Sequence, residues 1–264
     1  PAALERDVRG LIRADVLRCR AGRWFGNPAQ VRAAPLPPAE NEAADLIVDT
    51  LSDDEQLAVA TLAVFGRGAT AERVALLCGH DVARTLSKLV ADGVATRSGA
   101  DMQPSLPALA DVACARLGSE AVQALHARIL HLDLVHDPVE RLVHARGAGR
   151  DAEVVALAVE AARLASERLD LPGAARCLQY AVEARRALDD PDLIQETELL
   201  GQLGDVHLRA GDAAAAADCL REAIASTTAP SRRLRLSLGK ALASAGNHED
   251  ALVAFAEAGG CNQC

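Results

Sequence analysis

Residues 203–211 read LGDVHLRAG, and residues 238–246 read LGKALASAG. Both stretches have the apolar spacing of a helix that ends at a glycine, and a second helical pattern follows each of them. Equivalent positions are separated by a constant 35 residues, which indicates a repeated helical hairpin. The matched positions are Leu203, Gly204, Gly211, Ala216, Leu220 and Ala223 in one copy, and Leu238, Gly239, Gly246, Ala251, Phe255 and Ala258 in the other.

This period is close to that of a tetratricopeptide repeat. We expect Gly204 to let the two helices approach closely, and Gly211 and Gly246 to form the turn between helices. An earlier, degraded copy is offset by 42 residues, and residues 151–164 supply a helix before it. Its matching positions are Ala174, Cys177, Leu178 and Ala181. Residues 119–264 are therefore predicted to form tetratricopeptide-like repeats, clearest at 196–228 and 231–260.

The composition of the 264-residue chain agrees with a helical fold. Half of the residues are hydrophobic but only 2% are aromatic, so the core must be built from Leu, Val and Ala. Such a core suits closely packed helices and disfavours a β-sandwich or barrel. The predicted fold class is mainly α, with a winged-helix domain followed by an α-solenoid of tetratricopeptide-like helical hairpins.

Residues 40–118 are predicted to form the winged-helix-like domain. Helices are expected over 42–51, from a capping box at Ser52 and Glu55 to Gly66, from a Thr70 cap to Gly79, and over 82–91 behind an Asp81 cap. A hairpin follows at 94–102 and a helix at 107–117. Several helices before one hairpin are typical of a winged helix.

The first 39 residues divide into a helix with a hairpin over 1–26 and a proline-rich linker over 27–39. The chain starts at Pro1 without a methionine, and the last repeat has no predicted capping helix. Both features lead us to expect a fragment of a larger protein.

The net charge of −9 argues against nucleic acid as the main partner, because non-specific affinity for it comes from phosphate neutralisation. Residues 1–38 carry 7 Arg against 3 acidic residues, whereas residues 39–118 carry 6 basic against 12 acidic residues. Arg84 and Lys88 would face DNA if the winged helix read it, but packing against a protein partner is the favoured interpretation. The runs Arg185-Arg186 and Arg232-Arg233 are predicted to be solvated.

Cysteine and histidine usage gives no strong metal signal. Seven dispersed cysteines, no signal peptide and no apolar run of membrane length predict a cytoplasmic protein with buried thiols. The C-x-x-C pair Cys261 and Cys264 has no second ligand pair, so it is interpreted as a tail. A metal site is conceivable among His126, His131, His136 and His144, but a helix pair with surface histidines is preferred.

No phosphate-binding loop, kinase signature, G-x-S-x-G elbow or H-E-x-x-H motif is present in the sequence. The only Gly-Lys pair, Gly239-Lys240, lies inside a predicted repeat helix. We therefore expect no catalytic residue, no metal and no cofactor in this chain itself.

The order of these parts resembles the region after the nucleotide-binding domain in bacterial STAND-type signalling ATPases. That family includes large LuxR-type transcription regulators and Ser/Thr kinases fused to a predicted ATPase. The resemblance implies that residues 1–26 end an ATPase lid, that a winged helix follows the linker, and that helical repeats come last. The matching stretches are residues 11–18, 22–24, 35–38, 51–52, 63–66 and 203–211.

The resemblance also implies function. An upstream ATPase would hold ATP or ADP, the winged helix would pack on it, and the repeats would bind a protein partner or a small ligand. Relatives carry a nucleotide-sensing His after the wing, but Leu106 occupies that position here, so direct sensing is not expected. The alternatives are a free-standing tetratricopeptide scaffold or the regulatory tail of a Ser/Thr protein kinase. A DNA-binding role is disfavoured, and no membrane contact is expected.

Overall fold

The computed structural model describes residues 17–20, 23–26, 40–189 and 192–260. The chain divides into two compact units, Pro1–Ser119 and Glu120–Cys264. The fold is mainly α, as predicted, and its strands form two antiparallel hairpins within the described ranges. The linker and the C-x-x-C tail, about which the sequence made predictions, lie outside the described residues.

The first unit contains two hairpins and five helices in its described part. The hairpin predicted within residues 1–26 is confirmed, with Leu17 opposite Gly26 and Arg20 opposite Arg23. The elements are β1 (Leu17–Arg20), β2 (Arg23–Gly26), α1 (Glu40–Val48), α2 (Asp53–Phe65), α3 (Ala71–Cys78), α4 (Ala83–Ala91), β3 (Ala95–Ser98), β4 (Asp101–Pro104) and α5 (Pro107–Leu117).

Helix α2 forms the centre of the first unit. Its buried face, which includes Val59 and Leu62, packs in one core with Leu109 of α5 and with Met102 of β4. The backbones of Met102 and Ala69 exchange two hydrogen bonds of 2.9 Å, which attach the β3–β4 hairpin to the segment before α3. The helices and the hairpin thus occur in the order on which the winged-helix interpretation rests.

Local signals in the sequence located most ends of these helices. The capping box of α2 is confirmed, because the Ser52 backbone N–H donates to Glu55 Oε2 at 2.9 Å and the Glu55 N–H donates to Ser52 Oγ. Helix α4 begins one residue later than predicted, and its N-cap residue is Val82. Asp81 still contributes, since its Oδ1 accepts from the Ala83 N–H at 2.9 Å.

The second unit is an array of helical hairpins. Helices α8 and α9, α10 and α11, and α12 and α13 pair within the array, and α9 and α11 each also pack on the next helix along the chain. The packing of successive hairpins on their neighbours is that of an α-solenoid. The elements are α6 (Ser119–His131), α7 (Pro138–Gly147), α8 (Asp151–Glu167), α9 (Leu171–Ala187), α10 (Leu193–Ala210), α11 (Ala213–Ala225), α12 (Arg232–Ser244) and α13 (His248–Gly260).

The turn inside each hairpin requires a left-handed backbone conformation. Gly211 ends α10 with φ of 85°, and Gly246 has φ of 84° at the equivalent turn. Leu169 takes the same place in the α8–α9 hairpin, 42 residues before Gly211, with φ of 61°. Glycine adopts this region without a steric penalty, whereas leucine is destabilised there because its Cβ lies too close to the backbone.

Replacing Leu169 with glycine is therefore expected to stabilise the chain. The Leu169 side chain is 79% exposed, so little packing is lost. The substitution removes the steric cost of a leucine in the left-handed region and adds the entropy cost of a glycine in the unfolded chain. The free energy of unfolding should therefore rise by about 0.5–1 kcal/mol. Urea unfolding followed by far-UV circular dichroism measures this gain. The matched control Leu252→Gly, at an exposed position within α13, should lose about 1 kcal/mol, and equal losses in both variants would contradict the prediction.

Candidate partner-binding groove

A groove of about 680 Å³ lies between α10, α12 and the connection that joins α11 to α12. One end is apolar, because Leu193 and Ile194 at the start of α10 are largely exposed beside it. Hydroxyl groups follow along its walls, among them those of Thr197, Ser231 and Ser237. The groove therefore offers apolar contact at one end and hydrogen-bonding groups along its length.

The absence of a side chain at Gly201 brings the walls of this groove together. A Cβ atom at Gly201 would lie 2.9 Å from Cδ2 of Leu234, so α12 approaches the α10 backbone at this point. Both residues line the groove. The spacing of α10 and α12 beside the groove is thus set by close packing between the two helices.

Asp205 is the central charged group of the groove. Its Oδ2 pairs with Nη2 of Arg233 at 2.6 Å, and its Oδ1 accepts a hydrogen bond of 2.8 Å from the hydroxyl of Ser237. These contacts join α10 to α12 across the groove. Because both carboxylate oxygens are engaged, the negative charge of Asp205 is largely compensated.

A second cavity of about 420 Å³ adjoins the first one on the side of α8. Gln202, Asp205 and Arg233 line both cavities, so the two form one continuous surface across α8, α10 and α12. Arg163 and Arg209 line only the second cavity. The apolar end and the arginine-rich end are consequently at opposite ends of α10.

The repeat positions found in the sequence lie inside the hairpins and do not line the groove. A Cβ atom at Gly204 would lie 2.6 Å from Cγ of Leu220, and one at Gly239 would lie 2.5 Å from the ring of Phe255. The same glycine-to-large-residue contact thus recurs one repeat later. Leu203, Ala216, Ala223, Ala251 and Ala258 are buried, Leu238 is partly buried, and Gly211 and Gly246 form the turns.

Two of the histidines contact each other, and the prediction of surface histidines is wrong for this pair. Nδ1 of His126 in α6 lies 2.9 Å from Nδ1 of His144 in α7, and His144 is only 2% exposed. Burial lowers the pKa of both side chains, and the neighbouring His126 helps to bring that of His144 to about 4. Across the described part of the chain, no group of three or more potential metal ligands comes together.

The prediction that the Arg185-Arg186 run is solvated is wrong for Arg185, whereas Arg186 is exposed as predicted. Arg185 is 7% exposed, and its Nε and Nη2 atoms have no hydrogen-bond partner among the residues that the structure describes. Arg186 pairs with Glu196 of α10 and Glu222 of α11. Arg186 therefore joins successive hairpins, a role that neighbouring charges in the sequence did not indicate.

The two possible DNA contacts differ in their surroundings. Arg84 is exposed, but Nζ of Lys88 lies 2.5 Å from Oε1 of Glu55, whose side chain is 8% exposed. The hydrogen bond from Lys88 and that from the Ser52 N–H lower the pKa of Glu55. Lys88 thus compensates a buried carboxylate, which is a structural role on an otherwise acidic unit.

We expect Glu55→Ala to destabilise the first unit by about 1–2 kcal/mol, because it removes the capping box and the partner of Lys88. Since the pKa of Glu55 is lowered in the folded state, its stabilisation is present above the ordinary carboxylate pKa and is lost as the pH falls below it. Urea unfolding at pH 7 and at pH 3 measures both effects. Glu72→Ala, in the exposed first turn of α3, is the control, and equal losses at pH 7 would contradict the prediction.

The remaining predicted positions carry no assembled chemistry. Leu106 is the N-cap residue of α5, without a side-chain cap, and is 41% exposed. Burial raises the pKa of the thiols of Cys114, Cys177 and Cys219, which makes them poor nucleophiles. None of the described helices is both long and apolar enough to cross a lipid bilayer.

Comparison with solved structures finds a similarity to a known protein. No protein-family model and no curated protein sequence matches the chain. Among solved structures, the chain is similar to a Signal Transduction ATPase with Numerous Domains (STAND) protein with a tetratricopeptide repeat sensor from Pyrococcus horikoshii. The TM-score is 0.35 at 13% sequence identity, over 86% of this chain and 43% of the other chain. This chain therefore spans less than half the length of that protein.

Proposed function

We propose that this chain is a non-catalytic regulatory segment that binds a protein partner through the groove between α10 and α12. The observation that carries the proposal is the groove itself, which places exposed apolar side chains beside a row of hydroxyl groups on a rigid helical scaffold. Exposed apolar groups next to hydrogen-bonding groups are the mixture that partner-binding surfaces use.

In this proposal the segment belongs to a multidomain STAND-type signalling or transcription regulator, whose upstream ATPase holds ATP or ADP. The order of hairpin, helical bundle and repeat array supports this assignment. The bundle of α1 to α5 would pack on that ATPase, and partner binding to the repeats would favour one of its two states. An upstream coding sequence without a phosphate-binding loop would contradict this part of the proposal.

Selection from a random peptide library on the immobilised chain tests the groove directly. Selected peptides are expected to bind the wild-type chain and to lose about tenfold or more in affinity for the double variant Ile194→Asp/Thr197→Arg. The matched control is Leu252→Asp/Val253→Arg, which makes the same kinds of change at exposed positions of α13. If the groove variant retains full affinity, the groove is not the binding site.

A further inference from the structure

We propose that the ligand of this groove is a linear peptide with an apolar end and an acidic end, about seven residues apart. This inference rests on the proposed function and specifies the chemistry of the partner. It follows from the distribution of charge and apolar surface along one helix, α10, and along the helices on either side of it.

The acidic end of the ligand is inferred from three arginines, one on the first helix of each of three successive hairpins. Arg163 of α8, Arg209 of α10 and Arg233 of α12 line the same cavity, together with one carboxylate, that of Asp205. Glu167 pairs with Arg163, and Asp205 pairs with Arg233. Arg209 is exposed, and no carboxylate of the described residues pairs with it. An anionic group bound here would meet one uncompensated guanidinium, that of Arg209, in a cavity that the two paired arginines also line.

The cavity that these arginines line thus has one uncompensated positive charge, on a chain with a net charge of −9. The groove near Leu193 has the opposite character, because Glu198 is the charged residue that it adds to the Asp205–Arg233 ion pair, which lines both cavities. A ligand that is anionic throughout, such as a nucleic acid strand, would be repelled from that half. The surface therefore favours a ligand whose negative charge is confined to one end.

The length of α10 sets the length of the ligand. Ile194 and Arg209 are 15 residues apart on this helix, which corresponds to about 22 Å at 1.5 Å per residue. An extended peptide rises about 3.3 Å per residue, so about seven residues span the distance. Thr197, Gln202 and Ser237 lie between the two ends. The Gln202 amide can donate to and accept from peptide backbone, whereas the hydroxyls of Thr197 and Ser237 donate within the chain and can accept from peptide N–H groups.

Fluorescence anisotropy with synthetic heptapeptides tests the inference on the full 264-residue chain. The probes are LLSGSDE and its reversed order EDSGSLL, because the backbone direction is open, each acetylated and amidated so that only side chains carry charge. The better of the two should bind the wild-type chain, and LLSGSKK or its reverse should bind at least about tenfold more weakly. Absence of binding by both acidic peptides would overturn the inference.

Charge reversal identifies the arginines. Arg209→Glu should lower the affinity for the acidic peptide by about tenfold or more and raise the affinity for the lysine peptide. The gain for the lysine peptide would show that the variant remains folded. Arg176→Glu, at an exposed position of α9 outside both cavities, should change neither affinity by more than about twofold. Unchanged binding of the acidic peptide to Arg209→Glu would overturn the inference. Tighter binding of a single-stranded dT oligonucleotide, in competition with the peptide, would also overturn it.

The proposed function and this inference fail in different ways. The selected library peptides could bind the wild-type chain and lose affinity for Ile194→Asp/Thr197→Arg, and yet contain no acidic residues. In that case the groove binds a partner, and the inference of an acidic end is wrong. If acidic peptides bind but are insensitive to the changes at Ile194 and Thr197, binding occurs elsewhere and the proposed function is wrong.

Discussion

Gly204→Val should destabilise the second unit by about 3 kcal/mol or more. Even the first side-chain atom, Cβ, would lie 2.6 Å from Cγ of Leu220 and 3.3 Å from the backbone oxygen of Ala216, and valine adds two methyl groups beyond it. Helices α10 and α11 would have to separate, and the packed core around Leu220 would lose contacts that a partial repacking cannot restore.

The measurement should report on the second unit alone, because a chain of two units need not unfold in one step. Tyr180 is the only tyrosine of the chain and lies under the guanidinium of Arg146, whose Cζ is 3.5 Å from the ring centroid. Its near-UV circular dichroism, followed during urea unfolding in a Trp24→Phe background so that the first unit contributes no indole signal, gives the required readout. The matched control is Gly259→Val in α13, where none of the described residues has an atom within 4 Å of an added Cβ, and a change below about 0.5 kcal/mol is expected.

The contact between His126 and His144 should make the second unit sensitive to mild acid. In the folded state the pKa of His144 is lowered to about 4, mainly because burial disfavours its charged form. An unfolded histidine has a pKa of about 6.5 and so binds a proton in the range where folded His144 does not. Stability therefore falls as the pH decreases from about 6.5 to 4, by about 3 kcal/mol for this side chain.

Comparison of His144→Gln with the wild-type chain isolates this effect from the titration of carboxylates. The variant removes the titrating ring, so its stability should depend less on pH between 6.5 and 4 than that of the wild type. His248→Gln, which changes an exposed histidine at the start of α13, should retain the wild-type slope. Parallel curves for the wild type and His144→Gln would show that the His pair does not cause the loss.

Much of the fold could be predicted from local signals and from the repeat. The capping box of Ser52 and Glu55 predicted where a helix begins, and Gly211 and Gly246 predicted where helices end. These signals are reliable because each depends only on backbone groups within its own turn. The constant offset of 35 residues placed Leu220 and Phe255 in equivalent surroundings, and the structure packs each of them on a glycine.

The features that were missed depend on distant parts of the chain. The turn of the α8–α9 hairpin was not predicted. Its backbone is left-handed at Leu169, and a leucine in a sequence does not indicate a turn. His126 and His144 come together only when α6 meets α7. Asp205 and Arg233 are 28 residues apart in the sequence, and the groove around them exists only once α10 and α12 are packed.

The position of Arg233 has a mechanical consequence for the array. This side chain forms the ion pair that ties α10 to α12, and it also lines both halves of the groove. An acidic ligand that drew Arg233 away from Asp205 would break this ion pair, while the hydrogen bond from Ser237 to Asp205 and the close contact of Leu234 with Gly201 would still hold α12 against α10. Ligand binding could therefore exchange one partner of Arg233 for another without separating the two hairpins.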